Sequence, residues 1–470
     1  MFNSMIFLLI ATVFSYRSGY YVYPKQGLVV LPFRYGFYPG GRYTINVSKG
    51  ETDSLLFLIA TYDDTVRFFE GVNERSPCNW TYNVDYINKI QLEDGKGFAS
   101  GKVNKKGMYY TTVTPCNPEE DNGYTFYFTY VNPDSMLSYD EQPCLITVPI
   151  IAGIACGLFI LWLVNWFMYF SLKNSLHIYF TIGIFFTVIY ELLYAFEYYS
   201  RDKSDSKSPL FVARKVFRVL QETVLLSAMF LSCRGWCIIH NSIHWGWIVL
   251  AFVLSAGITV PYSISDFAYL STIPNLIDLL IAAIVAGVYL YFMLRGITDA
   301  NEAVKAHLYV IAQSGIDPKT TPIHKKYILF STVCGAVIAY FLVLIFRSAF
   351  NSIWTLPIYI MQLIYDIIIV ILISIISFAF RMKKETLKGY MMIGDDGEGE
   401  LLEKSQFESF DIEHLDHSTV PYEEGMSLPP QPTVAKPKSQ KNKEKDQKNQ
   451  DDEAEQRNQE LLQNNNAAEI

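Results

Sequence analysis

The sequence predicts a membrane protein in which an N-terminal β-sandwich domain is followed by a bundle of seven transmembrane helices and a disordered tail. Three observations support this fold class. Residues 146–381 contain seven apolar stretches, each close to the ~20 residues that a spanning helix needs. Residues 19–145 alternate short runs rich in Val, Ile, Tyr, Phe and Thr with turn signals. Residues 382–470 are polar.

Residues 1–18 are predicted to be a signal peptide. The apolar stretch Met5–Phe14 follows a short polar start, and its 10 residues are too few to span a bilayer. Two glycosylation sequons, at Asn46 and Asn79, agree with export of the domain that follows. Residues 19–145 are therefore expected on the lumenal or extracellular side.

The exported domain is predicted to be a small antiparallel β-sandwich. Strand-like runs occupy residues 27–33, 42–47, 54–62, 107–114 and 124–131. Turn signals such as Pro39-Gly40-Gly41 and Asp121-Asn122-Gly123 separate them, and no segment keeps a helical period over three turns. This spacing is typical of a sandwich.

Cysteines in the exported domain indicate one disulfide. In an oxidising compartment, Cys78 and Cys116 are the favoured pair. Cys144 directly precedes the first span, and its state stays open.

The seven spans are predicted at residues 146–171, 176–199, 212–239, 244–263, 270–294, 326–348 and 355–381. A cleaved signal places the start of the first span outside, so an odd number of spans leaves the tail in the cytosol. Basic residues in the 295–326 loop and at the start of the tail agree with the positive-inside rule, although the basic 200–211 loop departs from it.

The tail is predicted to be disordered. Residues 385–470 hold 20 acidic and 9 basic residues, a charge of −11 that accounts for the acidity of the whole chain. Such a composition favours a solvated segment and gives no indication of nucleic-acid binding. Tyr390-Met391-Met392-Ile393 matches a tyrosine sorting signal, in which Tyr390 and Ile393 would occupy two pockets of an adaptor. A chance match is the alternative.

Four carboxylates interrupt the predicted spans: Glu191, Glu222, Asp278 and Asp366. Buried in a bilayer, each should face the bundle interior, water or a partner. Helix rise places all four roughly 12–16 Å from the outer surface. One interpretation is a polar cavity for a ligand, ion or lipid headgroup. The other is a hydrogen-bonded packing network that includes Arg218 and Arg347.

The sequence does not indicate an enzyme, a metal site or a cofactor. His240 and His244 have metal-compatible spacing but no nearby acidic third ligand. Cys233 and Cys237 are interpreted as reduced packing thiols. The chain contains no H-E-x-x-H, G-x-S-x-G or phosphate-loop motif.

Several local sequences resemble the Golgi-dynamics-domain seven-transmembrane proteins, which include the lung seven-transmembrane receptor and intimal-thickness-related receptor branches. The similar segments are Val131-Asn132-Pro133 with Met136-Leu137-Ser138-Tyr139 and Gln142-Pro143, Gly107-Met108-Tyr109, Cys116-Asn117-Pro118, Trp162, Trp166, Glu191 and Arg234-Gly235-Trp236. The resemblance covers residues 27–390. Two motifs depart from rhodopsin-like receptors, since Ser232-Cys233-Arg234-Gly235-Trp236 lacks the acidic-Arg-aromatic switch and Tyr365-Asp366-Ile367 is not N-P-x-x-Y.

The resemblance implies a lumenal Golgi-dynamics-type sandwich over a receptor-like bundle in Golgi, endosomal or plasma membranes. It also implies a trafficking role with membrane lipid, secreted or lipidated cargo and a cytosolic sorting adaptor as partners. One alternative is a receptor coupled to a G protein through the 295–326 loop and tail. A further alternative, drawn from the four carboxylates, is an ion-conducting or transport protein.

Overall fold

An N-terminal β-rich region precedes a series of long helices in the computed structural model. The structure describes residues 19–22, 29–49, 54–71, 78–79, 86–116, 124–172, 174–203, 209–240, 242–267, 272–351, 357–381, 401–412, 419–423 and 426–435. The chain divides into two units. The first comprises Met1–Phe230, Trp245–Tyr289 and Val333–Met382, and the second comprises Leu231–His244, Leu290–Thr332 and Lys383–Ile470. The predicted signal peptide and sorting signal lie outside the described residues.

Two four-stranded antiparallel sheets make up the β-rich region of the first unit. Their strands are β1 Gly19–Val22, β2 Val29–Phe37, β3 Gly41–Lys49, β4 Ser54–Ala60, β5 Ile87–Gln91, β6 Gly97–Val103, β7 Gly107–Pro115 and β8 Tyr124–Val131. The sheets have the orders β1-β8-β3-β6 and β2-β7-β4-β5. All five predicted strands are present, whereas β1, β5 and β6 were not predicted.

Both sheets contribute side chains to one apolar core. Phe37 and Phe57 come from the second sheet, Ile45 and Phe126 from the first, and all four are fully buried. Burial of a side chain of this size contributes about 1.5–3 kcal/mol. The alternation of these residues along their strands points every second side chain towards this core.

Strand β4 is buried on both faces because a helix covers the face turned away from that core. The helix, α1, spans Tyr62–Gly71, and its Phe68 packs with Leu56, Leu58 and Ala60 of β4. No helix was predicted here from the sequence. Its signal is the Thr61-x-x-Asp64 cap, in which the Asp64 backbone N–H donates to Thr61 Oγ1 and that hydroxyl donates to the Asp64 carboxylate.

Long helices form the rest of the first unit and part of the second. They are α2 Cys144–Met168, α3 Ser175–Lys203, α4 Pro209–Cys233, α5 Trp245–Phe267, α6 Thr272–Gln313, α7 Pro322–Asn351 and α8 Ile358–Ala379. Within the described residues, six stretches are long and apolar enough to cross a membrane: 144–168, 175–203, 209–233, 280–313, 322–342 and 362–379. A shorter apolar helix covers Trp245–Pro261. The chain is therefore an integral multi-pass membrane protein.

Helix α6 is longer than the sequence predicted. The predicted span ended at residue 294 and a loop was expected over 295–326, but α6 continues to Gln313 and α7 already begins at Pro322. The reason lies in the sequence after residue 298, where good helix formers place Val304, Leu308 and Ile311 on one face. These side chains are buried in a core of their own in the second unit.

Helix α4 ends at a left-handed glycine. The Trp236 N–H donates to the Leu231 carbonyl at 3.1 Å and the Gly235 N–H donates to the Ser232 carbonyl at 2.9 Å, which is the Schellman pattern. Gly235 has φ of 77°, a conformation that costs glycine little. The Arg234-Gly235-Trp236 sequence thus terminates a helix.

The predicted disorder of the tail is wrong for part of residues 401–435. Strand β9 (Leu401–Leu402) pairs in parallel with β10 (Thr433–Val434), and a one-turn helix α9 spans Lys404–Phe407. We call the described residues 401–412, 419–423 and 426–435 the C-terminal clasp. Their apolar side chains pack in the second unit against α6 residues. The average composition of the tail hides these residues because the 436–470 segment is strongly polar.

Candidate functional site

Three of the four predicted intramembrane carboxylates lie in the first unit as buried side chains. Glu191 is on α3, Glu222 on α4 and Asp366 on α8. Asp278 lies on α6 and Arg347 on α7, but the side chains of both are outside the described part of the structure. The contacts of the predicted carboxylates can therefore be described for α3, α4 and α8.

Glu222 is held by two donors. Arg218 Nε donates to Glu222 Oε1 at 3.0 Å, and the Tyr365 hydroxyl donates to the same oxygen at 2.6 Å. The Arg218 guanidinium also lies 5.5 Å from the centre of the Tyr365 ring. This carboxylate is compensated in charge and ties α4 to α8, as the packing interpretation of the carboxylates expects.

A second ion pair was missed by the sequence analysis. Arg214 Nε lies 2.5 Å from Glu197 Oε2, and its guanidinium stacks 4.1 Å from the centre of the Tyr194 ring. A usable signal was present, because Arg214, Arg218 and Glu222 follow at four-residue intervals and share one face of α4. Glu197 was overlooked because it lies near the end of the predicted second span.

Glu191 and Asp366 form the less compensated part of this region. Gln362 Nε2 donates to Asp366 Oδ1 at 2.6 Å. Glu191 feels repulsion from Asp366 and attraction from Arg214, the side chain that is ion-paired with Glu197. Glu191 Oε2 has no hydrogen-bond partner among the described residues. We call Glu191, Glu197, Arg214, Arg218, Glu222 and Asp366 the charged cluster.

The linker between β8 and α2 joins the β-rich region to the helices. Asn132 is its centre: the amide donates to the carbonyls of Gly36 at 3.0 Å and Leu137 at 2.8 Å, and it accepts from the Tyr38 N–H at 2.7 Å. Ser138 Oγ accepts from the Gly36 N–H at 2.7 Å. A Cβ at Gly36 would lie 2.9 Å from Ser138 Oγ, so the close approach requires glycine.

The same linker contacts the ends of two helices. Ser135 Oγ donates to Asp202 Oδ1 at 2.5 Å, and Arg201 Nη2 donates to both carboxylate oxygens of Glu141 at 2.9 and 3.0 Å. The Tyr359 N–H at the start of α8 donates to the Asp140 carbonyl at 3.3 Å. We call residues 132–143 with these partners the junction.

Beneath the junction lies a small apolar cluster that continues towards the charged cluster. Leu137 of the linker and Cys144 of α2 pack with Tyr190, Tyr194 and Tyr198 of α3. The Arg214 guanidinium also packs against the face of the Tyr194 ring. The linker, the tyrosine row and the charged cluster are therefore contiguous along α3, which gives a physical route between the β-rich region and the helix interior.

The predicted disulfide of the β-rich region is present in the structure. Cys78 and Cys116 form a disulfide with Cα atoms 5.2 Å apart, and Cys144 is a buried free thiol. The sequon residues Asn46 and Asn79 are exposed. Among the described residues, no group of three or more His, Cys, Asp or Glu side chains is arranged to hold a metal ion.

The C-terminal clasp is a second candidate region, within the second unit. Phe407 and Leu402 pack with Ala306 of α6. His307 Nε2 donates to the Pro429 carbonyl at 2.9 Å, and Lys305 Nζ donates to the Glu408 carbonyl at 2.9 Å. Further on, the Asp317 N–H donates to the Val420 carbonyl at 2.8 Å and the Val420 N–H donates to the Gly315 carbonyl at 2.9 Å. The clasp therefore covers the hairpin formed by the end of α6 and the start of α7.

Neither a protein-family model nor a curated protein sequence matches the chain. The function is therefore inferred from the geometry of the junction, the charged cluster and the clasp.

Proposed function

We propose that the chain is a membrane protein of the secretory and endosomal pathway that binds secreted or lipidated cargo on its lumenal side. In this role it moves cargo between Golgi, endosomes and cell surface. The observation that carries the proposal is the junction, where the β-rich region is bonded to α3 and α8 by side-chain and backbone contacts. A ligand that shifts the β-rich region would strain these contacts, so binding outside is coupled to the helices.

The proposal includes a β-sandwich of the Golgi-dynamics type and seven spans. Two antiparallel sheets with one shared core support the first. Helix α5 supports the second, because its 23 residues reach about 34 Å and the hydrocarbon core is about 30 Å thick. With seven spans the clasp lies in the cytosol, on the side where a sorting adaptor would meet Tyr390 and Ile393.

The charged cluster gives such a carrier a polar interior close to the junction. Tyr190, Tyr194 and Tyr198 line the path from Leu137 to Arg214. A lipidated cargo needs an apolar surface for its chain and polar groups for its linkage, and this row offers aromatic faces beside hydroxyls. The membrane-facing apolar side chains of α2, among them Ile146 and Ile150, provide the lipid-exposed flank.

The test is cargo capture from the full-length protein. Tagged chain is cross-linked in intact cells and purified, and co-purifying secreted proteins are identified; the secretome of cells lacking the chain is compared with that of rescued cells. We expect at least one secreted protein in the purified complex whose release falls when the chain is deleted. Capture of none, together with an unchanged secretome, contradicts the proposal.

A control variant separates location from binding. Tyr390→Ala should shift the steady-state distribution of the chain between membranes and leave cargo capture intact. The receptor hypothesis makes a different prediction, namely ligand-stimulated nucleotide exchange on a G protein. The clasp counts against it, because it occupies the α6–α7 hairpin on which that coupling was expected to depend.

A further inference from the structure

Glu191 carries a negative charge that the described side chains around it do not neutralise. It is 1% exposed, and Glu191 Oε2 has no hydrogen-bond partner among the described residues. An acidic side chain in that situation inside a membrane span is costly unless a positive charge is supplied.

Arginines nearby form ion pairs with other carboxylates. Arg214 acts on Glu191 from a distance but is ion-paired with Glu197 at 2.5 Å, and Arg218 Nε bonds Glu222 at 3.0 Å. The negative charge of Asp366 repels that of Glu191. The position of Glu191 between Asp366 and an already engaged arginine therefore favours an additional positive charge.

Tyr190 supplies an independent observation. Its hydroxyl is 1% exposed and has no hydrogen-bond partner among the described residues, although a buried tyrosine hydroxyl normally finds one. This hydroxyl interacts electrostatically with Asp366, Arg218 and Arg214, so it is directed into the charged cluster. The Tyr190 hydroxyl and the Glu191 carboxylate, on successive residues of α3, each interact electrostatically with Asp366, so a cation beside Asp366 could contact oxygen atoms of both.

We propose that Glu191 and Tyr190, beside Asp366, bind one small cation, either a proton or Na⁺. Hard monovalent cations prefer carboxylate and hydroxyl oxygens, and a proton on Glu191 would give the same neutralisation. The inference concerns the helix interior and does not depend on cargo binding. The charged or titratable groups that face the site come from α2, α3, α4 and α8: Cys144, Tyr194, Glu197, Arg214, Arg218 and Asp366.

The test is ligand-linked stability of the full-length chain in lipid nanodiscs. Thermal unfolding is followed at constant ionic strength while choline chloride is exchanged for NaCl, and the series is repeated at several pH values. If Na⁺ is bound, it raises the melting temperature of the wild type by about 2 °C or more. If a proton is bound, Na⁺ has no such effect and stability falls as pH rises, because the folded chain holds a proton that the unfolded chain releases.

Variants assign the effect to the site. Glu191→Gln should abolish whichever response the wild type shows, and Tyr190→Phe should weaken it without changing side-chain shape. Glu197→Gln frees Arg214 from its ion pair and should also weaken the response, because Arg214 can then neutralise Glu191. Glu302→Gln is the control: it removes a carboxylate that pairs with Lys404 rather than with a residue of the charged cluster, so it keeps the response. The proposal is overturned if Glu191→Gln and Tyr190→Phe respond to Na⁺ and pH as the wild type does, or if Glu302→Gln loses the response equally.

Discussion

Arg201 and Glu141 form a two-bond ion pair between α3 and the linker that precedes α2. Nη2 of Arg201 reaches both carboxylate oxygens, at 2.9 and 3.0 Å, while about a third of the arginine side chain remains exposed. The pair closes the junction on the side of α3, next to the contact between Ser135 and Asp202. Its role is to hold the linker against the helix end.

Arg201→Ala should loosen the junction without unfolding the chain. Because the arginine is partly exposed, we expect a loss of only about 1 kcal/mol of stability. Amide hydrogen exchange in residues 135–143 should rise, while exchange in β4 stays at the wild-type level. Lys203→Ala is the control, since this lysine pairs with the neighbouring Asp202 on the surface. Equal exchange in all three proteins would contradict a structural role for the pair.

Asn132→Ala should be far more damaging than its small size suggests. It removes four hydrogen bonds and leaves the Leu137 carbonyl and the Tyr38 N–H to find other partners, whereas the Gly36 carbonyl still accepts from the Tyr139 N–H at 3.0 Å. Each orphaned buried group costs about 1–3 kcal/mol. We expect a strongly lowered melting temperature, measured by thermal unfolding of the full-length chain. Asn104→Ala, at an exposed asparagine, should behave as wild type; similar melting of the two variants would be inconsistent with a central role for Asn132.

Phe407→Ala should release the C-terminal clasp. Phe407 is 1% exposed and packs with Ala306 and Leu402, and a buried Phe→Ala change costs about 3–5 kcal/mol in a well-packed core. Because the clasp is short, a loss of stability of this size should detach it from α6. Protease cleavage within 401–435 should therefore accelerate, while the long helices stay intact. The matched change is Leu401→Ala, because Leu401 is exposed. Unchanged cleavage in Phe407→Ala would show that the clasp does not depend on this contact.

Local sequence patterns predicted most of the strands and helices, but they predicted few of the contacts between them. The five predicted strands and the helix ends near Cys144 and Pro209 follow from periodicity and turn residues. The pair of Arg214 with Glu197 joins two helices, so the four-residue spacing along α4 indicates a charged face but does not identify the partner on α3. The clasp was missed for a different reason, since its apolar residues are diluted by the charged sequence around them. Helix α1 could have been predicted from the N-terminal cap at Thr61.

Arg218, Tyr365 and Glu222 allow the packing role of the charged cluster to be measured. Tyr365→Phe removes one donor to Glu222 Oε1 but leaves the arginine, so we expect a loss of about 1–2 kcal/mol. Arg218→Met leaves the carboxylate buried without this cation and should cost about 3–5 kcal/mol.

The double variant Arg218→Met with Glu222→Gln discriminates between charge and shape. Glutamine at 222 can still accept from the Tyr365 hydroxyl, and no net charge remains to be compensated at this pair. We therefore expect the double variant to unfold at a higher temperature than Arg218→Met alone, with a coupling of at least about 1 kcal/mol in a double-mutant cycle. Thermal unfolding of the four proteins in nanodiscs provides the measurement. Strict additivity of the two changes would mean that the Arg218–Glu222 bond contributes nothing to stability.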